Sequence, residues 1–499
     1  MTTTIPFVNA RPHLGFALEL VQADVLARQH RRRGDAVRYQ TGTDDNSLKN
    51  VLAAEAAGVG VQEFVDANAA AFVALAGPLS LSVDDVIRTS ADPRHRPGVE
   101  RLWRACAESG DLYRKHYQGL YCVGCEQFYA EAELRDGRCP DHGTEPQVIS
   151  EENWFFRLSR YTEQLQRLIS TGELRIEPAE RRNEVLAFLA GGLDDFSVSR
   201  SVQRARGWGI PVPDDADQVI YVWWDALGNY LTALDYGTGR HHDWWTESER
   251  RIHLLGKGVL RFHAVYWPAM LLSAGEALPT DLLVHDYLTV DGRKISKSDG
   301  TTVDPVALVQ QYGVDAVRWW LLREVPRVGD ADFTVDRLIA RADDELANGL
   351  GNLVNRTVSM IHRYRAGADP TAAPAHAVQQ SKDAVRQAAA LQTACRQAGP
   401  AVDEALDDFD FRRATSAVWS IVDEANRYLN QAKPWTLAKD PARSDDLDAV
   451  LQDVLIACRT TAELLAVFLP DAAARITRQC TATAGHLPPP VPVFERLSA

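Results

Sequence analysis

Three clusters along the 499-residue chain have residue types and spacings that could do chemistry. Cys122-Val-Gly-Cys125, then thirteen residues, then Cys139-Pro-Asp-His142 brings three thiols and an imidazole to the spacing of a tetrahedral structural zinc. Chance clustering is the alternative; the odd total of seven cysteines argues against a disulfide framework. The second cluster, Lys294-Ile-Ser-Lys297-Ser298, lies between Gly292 and Gly300 in a polar loop, from which two ammonium groups could reach a polyphosphate and meet charge developing in a transition state. A lysine-serine run on its own is usually a solvated loop. The third, His13-Leu-Gly15-Phe16, falls between an apolar run and a helix-periodic stretch. Helix N-terminal amides there favour a phosphate chain, and Gly15 would let an adenine ring approach the backbone. A histidine and a glycine at a helix start are, alone, more often a cap and a turn.

These residues need elements to hold them. The run IPFVN predicts a strand, and the apolar periodicity of residues 14–32 predicts a helix. AVRYQTGTDD reads as a second strand ending in polar residues, with helices over LKNVLAAEAAGV and VQEFVDANAAAFVALAG. Strands alternating with helices imply an α/β fold with a parallel sheet. Over residues 112–206 the texture changes to a Cys-, Gly- and Asp-containing insert, with WFFRLSRYTEQLQRLIS as a helix inside it. The α/β pattern resumes at VIYVWWDALGNYL, continues through RIHLLGKGVLRFHAVYWPAML and reaches a strand at LLVHDYLTV, so the sheet is split by the insert. Beyond about residue 330 no strand is expected; IARADDELANGLGNLVNRTVSMI and FDFRRATSAVWSIVDEANRYLNQA carry helical spacing. The end HLPPPVPVF packs or frays rather than functions.

Composition narrows the class. With 45% hydrophobic and 24% charged residues the chain can bury a sizeable core, and at this length two to four domains are expected. The net charge of -14 excludes a protein coated in basic surface, so any RNA contact must use local patches such as Arg28, Arg31, Arg32 and Arg33, or Arg94, His95, Arg96, Arg101 and Arg104. No apolar run approaches the roughly 20 residues of a membrane span, and the start MTTTIPFVNARPH lacks a signal-peptide pattern; a cytoplasmic enzyme with no membrane partner is expected.

Together the His13 and Lys294 clusters resemble the HIGH and KMSKS signatures of class I aminoacyl-tRNA synthetases. IPFVNARPHLGFA, YVWWDALGNYLTALDYG, GKGVLRFHAVYWPAML and QAKPWTLAKD are similar to methionyl-tRNA synthetase, and the resemblance runs from Ile5 to the C-terminus. It implies a Rossmann-type catalytic domain over residues 1–111 and 207–330, a connective insert with a zinc knuckle over 112–206, and a helical anticodon-binding-type domain over 331–499. It further implies ATP with magnesium as co-substrate, a structural zinc on Cys122, Cys125, Cys139 and His142, and methionine or an analogue activated as its adenylate for transfer to tRNA(Met). By matching position, His13, Gly15 and Gly256 would hold ATP, and Lys294 and Lys297 would neutralise the leaving pyrophosphate. Asp44 would hold the substrate ammonium, and Ile5, Phe7, Trp223, Ala226, Tyr230 and His263 would line the side-chain pocket. Asn352, Arg356 and Trp435 would read the anticodon. Many relatives carry an additional C-terminal dimerisation domain, and this chain ends soon after the helical region, so a monomer is expected.

Four departures fall near the reaction centre. Phe16 replaces the second histidine of the HIGH signature and cannot donate hydrogen bonds to phosphates. Asp45-Asn46-Ser47 stand where the family usually has Glu-His-Gly, Gly258 where it has a carboxylate, and Phe7 where it has a tyrosine. This pattern suggests a specialised paralogue with a changed substrate, acceptor or inhibitor response. Three functions are therefore weighed, in this order. The first is a methionine-tRNA ligase, supported by Asn352, Arg356 and Trp435. The second is a tRNA-independent biosynthetic ligase, passing the adenylated amino acid to a small hydroxyl or amine with a separate partner enzyme. The third is an inactive tRNA-binding paralogue, against which His13, Lys294 and Lys297 count.

Overall fold

The computed structural model describes the chain apart from residues 126, 141–142, 291, 296–302, 373–381 and 498–499 and the side chains of 127, 294 and 382–387. The chain divides into two units, residues 1–23, 36–76 and 82–286, and residues 24–35, 77–81 and 287–499.

The strands of the first unit are β1 (Thr2–Thr3), β2 (Gln40–Thr43), β3 (Asp85–Arg88), β4 (Leu112–Cys122), β5 (Gln127–Tyr129), β6 (Gln147–Phe156), β7 (Arg175–Glu177), β8 (Phe196–Ser197), β9 (Ser199–Ser201), β10 (Pro211–Val212), β11 (Asp215–Ile220), β12 (Ile252–Gly256) and β13 (Asp281–His285). Its helices are α1 (Leu14–Arg32, assigned to the second unit from Asp24 onward), α2 (Leu48–Ala57), α3 (Val61–Val73), α4 (His95–Glu108), α5 (Thr162–Thr171), α6 (Ala179–Ala190), α7 (Val222–Thr232) and α8 (Trp267–Ala274). One sheet, in the order β3-β2-β1-β12-β13-β7, is parallel throughout, a Rossmann-type α/β core. Leu254, Leu255, Leu282, Leu283 and Val284 in its middle strands are all buried, the near-continuous apolar texture of strands covered on both faces.

The strand order reverses between β1 and β12: the chain steps outward from β1 to β2 and β3, and on the other side from β12 to β13. Loops leaving two such strands diverge and open a crevice at the carboxyl edge, where ligands bind in open α/β sheets. Gly42 in β2 lets the neighbouring strand pass closely, because a Cβ there would lie 2.3 Å from the Ile87 carbonyl oxygen.

Several sequence expectations need correction. The first strand is Thr2–Thr3, before IPFVN; Pro6 has no N–H for a ladder, and Phe7 makes only an isolated bridge to Asp44. Trp154, Phe155 and Phe156 end β6, paired with Arg114, Tyr113 and Leu112 of β4, so the helix expected over them begins only at Thr162. β11 pairs antiparallel with β9 and β10 and lies outside the parallel sheet. The insert stretch is not separate from that sheet, since β7 forms its edge beside β13. Of the basic group at residues 94–104, His95 is fully buried, Arg94 is bound by Asp85 and Asp92, and Arg101 donates to the Tyr236 carbonyl, which leaves Arg96 and Arg104 exposed and both paired with Glu100.

In the second unit β14 (Leu288–Val290), β15 (Arg293–Lys294) and β16 (Ala331–Asp332) form a small sheet in the order β15-β14-β16. The two residues of β16 are a strand where none was expected. They pair in parallel with β14, and the Asp332 carboxylate accepts from Thr289 Oγ1 at 2.7 Å and Gly292 N at 2.9 Å. The helices are α9 (Pro305–Tyr312), α10 (Val314–Arg323), α11 (Val335–Arg341), α12 (Asn352–Arg365), α13 (Lys382–Asp407), α14 (Phe411–Ala432), α15 (Pro434–Leu437), α16 (Ser444–Leu465) and α17 (Pro470–Cys480). Arg318 is fully buried and fully used: it donates to Asp24 at 2.8 Å, to the Phe468 carbonyl at 2.7 Å and to the Leu79 carbonyl at 2.9 Å. Arg28, Arg32 and Arg33 are paired with Asp24, Asp403 and Asp407, so that expected patch is also largely neutralised. The Pro-rich end packs through Leu487 and Val493. Among the described residues no single helix is long and apolar enough to cross a membrane.

Candidate active site

At the carboxyl edge of the switch point the loop after β1 meets α7 and the segment after β12. Trp223 lies flat on Phe262, with centroids 3.7 Å apart and 6° between planes, and its ring stands edge-on to Phe7 at 6.1 Å. Ala226 and Tyr230 are buried on the same helix, and Ile5 lines the approach beside Gly42. His263 sits in a π-helical turn, Phe262–Tyr266, a distortion common at functional sites. Its Nδ1–H donates to the Val259 carbonyl at 2.9 Å, so Nε2 must accept from the Tyr230 hydroxyl at 2.8 Å. Burial pushes the His263 pKa down to about 4 and that of Tyr230 well up, leaving an uncharged hydroxyl–imidazole pair among aromatic rings. Such a pocket suits a neutral, polarizable side chain.

His253, which sequence reading missed, buttresses this wall. It stacks on Tyr230 at 4.1 Å, accepts from Trp267 Nε1 at 3.2 Å and donates from Nδ1 to Thr2 Oγ1. A histidine inside the apolar strand IHLL was the available signal. Burial lowers its pKa as well. Because the folded pKa of His263 lies below its ordinary 6.5, the stability it contributes is complete above pH 6.5 and is lost as pH falls towards about 4. The loss from this ring reaches about 3 kcal/mol near the folded pKa. Denaturant unfolding at neutral pH and near pH 4.5 checks this, with His263→Gln expected to flatten the dependence.

Asp44, at the end of β2, is 1% exposed. Its N–H donates to the Pro6 carbonyl at 2.9 Å and its Oδ1 accepts from the Asn46 N–H at 3.2 Å, which fixes the carboxylate beside the β1 loop. The three residues that depart from the family each have a structural partner. Asp45 accepts from Arg88 Nη2 at 2.9 Å and Ser90 Oγ at 2.7 Å. Asn46 Nδ2 donates to Asp225 Oδ2 at 2.7 Å, and Ser47 Oγ accepts from Lys49 N at 3.0 Å, capping α2. Asp225 escaped sequence reading, and His95 was read there only as part of a basic group. Asp225 Oδ1 bonds His95 Nε2, and His95 Nδ1 bonds Thr232 Oγ1 at 2.8 Å. A carboxylate in the otherwise apolar VWWDALGNYLT was its signal.

At the start of α1, His13 Nδ1 accepts from the Gly15 N–H at 3.1 Å. A Cβ at Gly15 would lie 3.1 Å from that ring, so the glycine first makes room for His13 itself. Phe16 is buried edge-on against Phe72, centroids 5.2 Å apart, an apolar contact where the signature has a donor. Gly256 ends β12, 3.4 Å from the His285 ring measured from an added Cβ. Burial works to lower the His285 pKa, but the Glu19 carboxylate at 3.1 Å and the Asp286 carbonyl at 2.9 Å outweigh it and raise the value. Gly258 is exposed in the turn Lys257–Val259. Lys294 is described only by its backbone, in β15, and Lys297 lies outside the described residues.

β4 ends at Cys122, and the turn to β5 brings Cys125 back beside it. The Sγ atoms of Cys122, Cys125 and Cys139 lie within 4.8 Å of one another, with Cys125 and Cys139 3.4 Å apart. Zinc–sulfur bonds of about 2.3 Å place tetrahedral sulfurs about 3.8 Å apart, so the three thiols fit a structural zinc. His142, the expected fourth ligand, lies outside the described residues. Chelation is expected to release one equivalent of zinc, read by a chromogenic indicator, and to loosen the β4–β6 hairpin to proteolysis. Intact protease resistance after zinc loss would contradict a structural role.

In the second unit Arg356 stands 5.8 Å over the Trp435 ring. Trp435 is 39% exposed, next to buried Pro434, and Asn352 opens α12 one turn before Arg356 with an exposed side chain. An exposed ring, guanidinium and amide on adjacent surfaces can stack and bond unpaired bases.

A Rossmann-type sheet with an aromatic cluster at its switch point, followed by a helical C-terminal domain, fits the architecture of a class I aminoacyl-tRNA synthetase. The profile for "tRNA synthetases class I (M)" matches residues 1–147 and 129–358, and the "Anticodon binding domain of methionyl tRNA ligase" matches 378–493. The chain belongs to the methionine–tRNA ligase family. It is 38% identical to the methionine–tRNA ligase of Caldanaerobacter subterraneus subsp. tengcongensis over 96% of this chain and 73% of that one. It is 39% identical to that of Brucella melitensis over 99% and 97%. A Mycobacterium tuberculosis methionyl-tRNA synthetase bound by methionyl-adenylate superimposes with a TM-score of 0.90 at 35% identity, covering 99% of both chains.

Proposed function

We propose that this chain activates methionine with ATP and transfers it to tRNA(Met). The observation that carries this reading is the aromatic wall of Phe7 and Trp223, with Ala226 and the uncharged Tyr230–His263 pair, beside the buried carboxylate of Asp44. In this reading Asp44 holds the α-ammonium and the aromatic wall takes the thioether, which leaves the substrate carboxylate turned toward the nucleotide. His13, Gly15 and Gly256 cradle ATP at the switch point, while Lys294 and Lys297 neutralise pyrophosphate as it leaves. Magnesium accompanies the ATP phosphates. The carboxylate is itself the nucleophile, so no side chain has to attack. Zinc on Cys122, Cys125, Cys139 and His142 shapes the insert, and Asn352, Arg356 and Trp435 read the anticodon. The enzyme works as a cytoplasmic monomer, checked by a sedimentation mass of 55.3 kDa.

ATP–pyrophosphate exchange across a panel of amino acids tests the first step, with exchange expected to depend on methionine. Exchange driven by another amino acid alone would sink the reading. One observation favours a second reading, a ligase for a small hydroxyl or amine acceptor: Phe16 packs on Phe72 where the family supplies a phosphate donor.

A further inference from the structure

Nothing in the proposed activation step uses Arg261, which directly precedes the π-helical turn Phe262–Tyr266. That turn carries two residues of the pocket wall: Phe262 lies flat on Trp223, and His263 Nε2 accepts from the Tyr230 hydroxyl. A π turn is a rare, marginal backbone form and needs contacts that keep it in place. On the pocket side it has the Trp223 stack and the His263 Nδ1–H on the Val259 carbonyl. On the solvent side it has Arg261, whose guanidinium lies 4.3 Å over the Phe188 ring and whose Nη1 donates to Glu133 Oε1 at 3.1 Å.

Glu133 closes the short turn Glu131–Glu133 after β5, and its other oxygen, Oε2, accepts from the Ala130 N–H at 3.0 Å. Both carboxylate oxygens are thus committed, one to its own turn and one to a segment 128 residues further on. The turn is itself anchored. Beside Ala130, Tyr129 is 6% exposed, pairs with Leu120 of β4 and donates its hydroxyl to Cys125 Sγ at 3.0 Å. Sulfur, Tyr129, Ala130, Glu133, Arg261 and Phe262 therefore form one continuous series of bonds from the cysteine cluster to the pocket wall. The side chains of Arg261 and Glu133 are 50% and 39% exposed, and an ion pair so wet contributes little to overall stability. It can still fix where the π turn begins, because its two ends sit on different elements and a small displacement at Arg261 passes through the backbone to Phe262 and His263.

We infer that Glu133 and Arg261 are positioning residues: their ion pair sets the π turn, so that the cysteine-bearing insert holds Phe262 and His263 in place for the amino acid. This rests on the reading that the aromatic wall takes the substrate side chain. The test is pyrophosphate exchange at varied methionine with Glu133→Gln, Arg261→Gln, the double variant and Arg261→Lys, beside hydrogen–deuterium exchange of the peptide spanning residues 257–267. Each Gln variant is expected to raise the KM for methionine about threefold and to leave kcat within about twofold. The double variant should be no worse than either single one, because both remove the same interaction, and Arg261→Lys should recover most of the loss. The peptide should exchange faster in the Gln variants, with zinc content and the melting curve unchanged. Unchanged KM and unchanged peptide exchange overturn the inference, as do additive losses in the double variant. A joint fall of kcat and melting temperature also overturns it, since the pair would then be merely structural. Should another amino acid drive pyrophosphate exchange, the same cycle is read on its KM; should none do so, the peptide decides alone, and the proposed reaction fails whether or not the inference stands.

Discussion

Asp44→Ala is expected to lower kcat/KM for methionine in pyrophosphate exchange by about 10²- to 10³-fold, equivalent to ~3–4 kcal/mol. The carboxylate is 1% exposed, and its backbone is tied to Pro6 and, through Asn50 Nδ2 at 2.9 Å, to the start of α2. A substrate ammonium entering so dry a place loses its water and depends on that charge. Asp44→Asn keeps the shape and the contact to the Asn46 N–H while removing the charge, and should lose nearly as much. Melting curves recorded on the same variants separate lost binding from lost folding. Full activity in Asp44→Asn would mean that the ammonium is held elsewhere.

Asp225→Leu is expected to destabilise the first unit by about 3–5 kcal/mol. Both carboxylate oxygens are committed, one to His95 and one to Asn46, and the residue is 1% exposed. Removing it leaves a fully buried imidazole and an amide without their acceptor. The loss would reach the pocket, because α7 carries Trp223, Ala226 and Tyr230. That helix is held at Asp225, at Thr232 by His95, and by Gln40 Nε2 on the Asn229 carbonyl at 3.2 Å. It also packs tightly on α4, where a Cβ at Gly98 would lie 2.5 Å from Thr232 Cγ2. Denaturant unfolding read by tryptophan fluorescence measures the stability, and the methionine KM of surviving enzyme measures the displacement. Wild-type stability would mean that the helix is held by packing alone.

How much of this could be read from residues alone depends on what each signal encodes. The 3.6-residue periodicity of residues 14–32 marks α1 to the residue, because an amphipathic helix writes its burial into its spacing. The cysteine spacing likewise anticipates three sulfurs within 4.8 Å, since Cys122 and Cys125 share a short turn and Cys139 follows closely enough along the chain to join them. β7 escapes because three residues are too few to show alternation, and β11 is misplaced because an apolar run does not say which sheet it joins. His95 looks like part of a basic group until Asp85, Asp92 and Asp225 are seen around that group, and those pairings are set by tertiary contact. The departures at Phe16, Asp45, Asn46 and Ser47 read as altered chemistry in one dimension. In three dimensions each has a packing or hydrogen-bonding partner, so part of their meaning is structural.

The central claim is transfer of methionine to tRNA(Met), and the most direct test is to incubate pure enzyme at high concentration with ATP, labelled methionine and initiator or elongator tRNA, then count label on the tRNA. Near-stoichiometric charging is the predicted result. Label that exchanges with pyrophosphate yet never reaches a tRNA that an active control synthetase does charge would contradict it and point to a small-molecule acceptor.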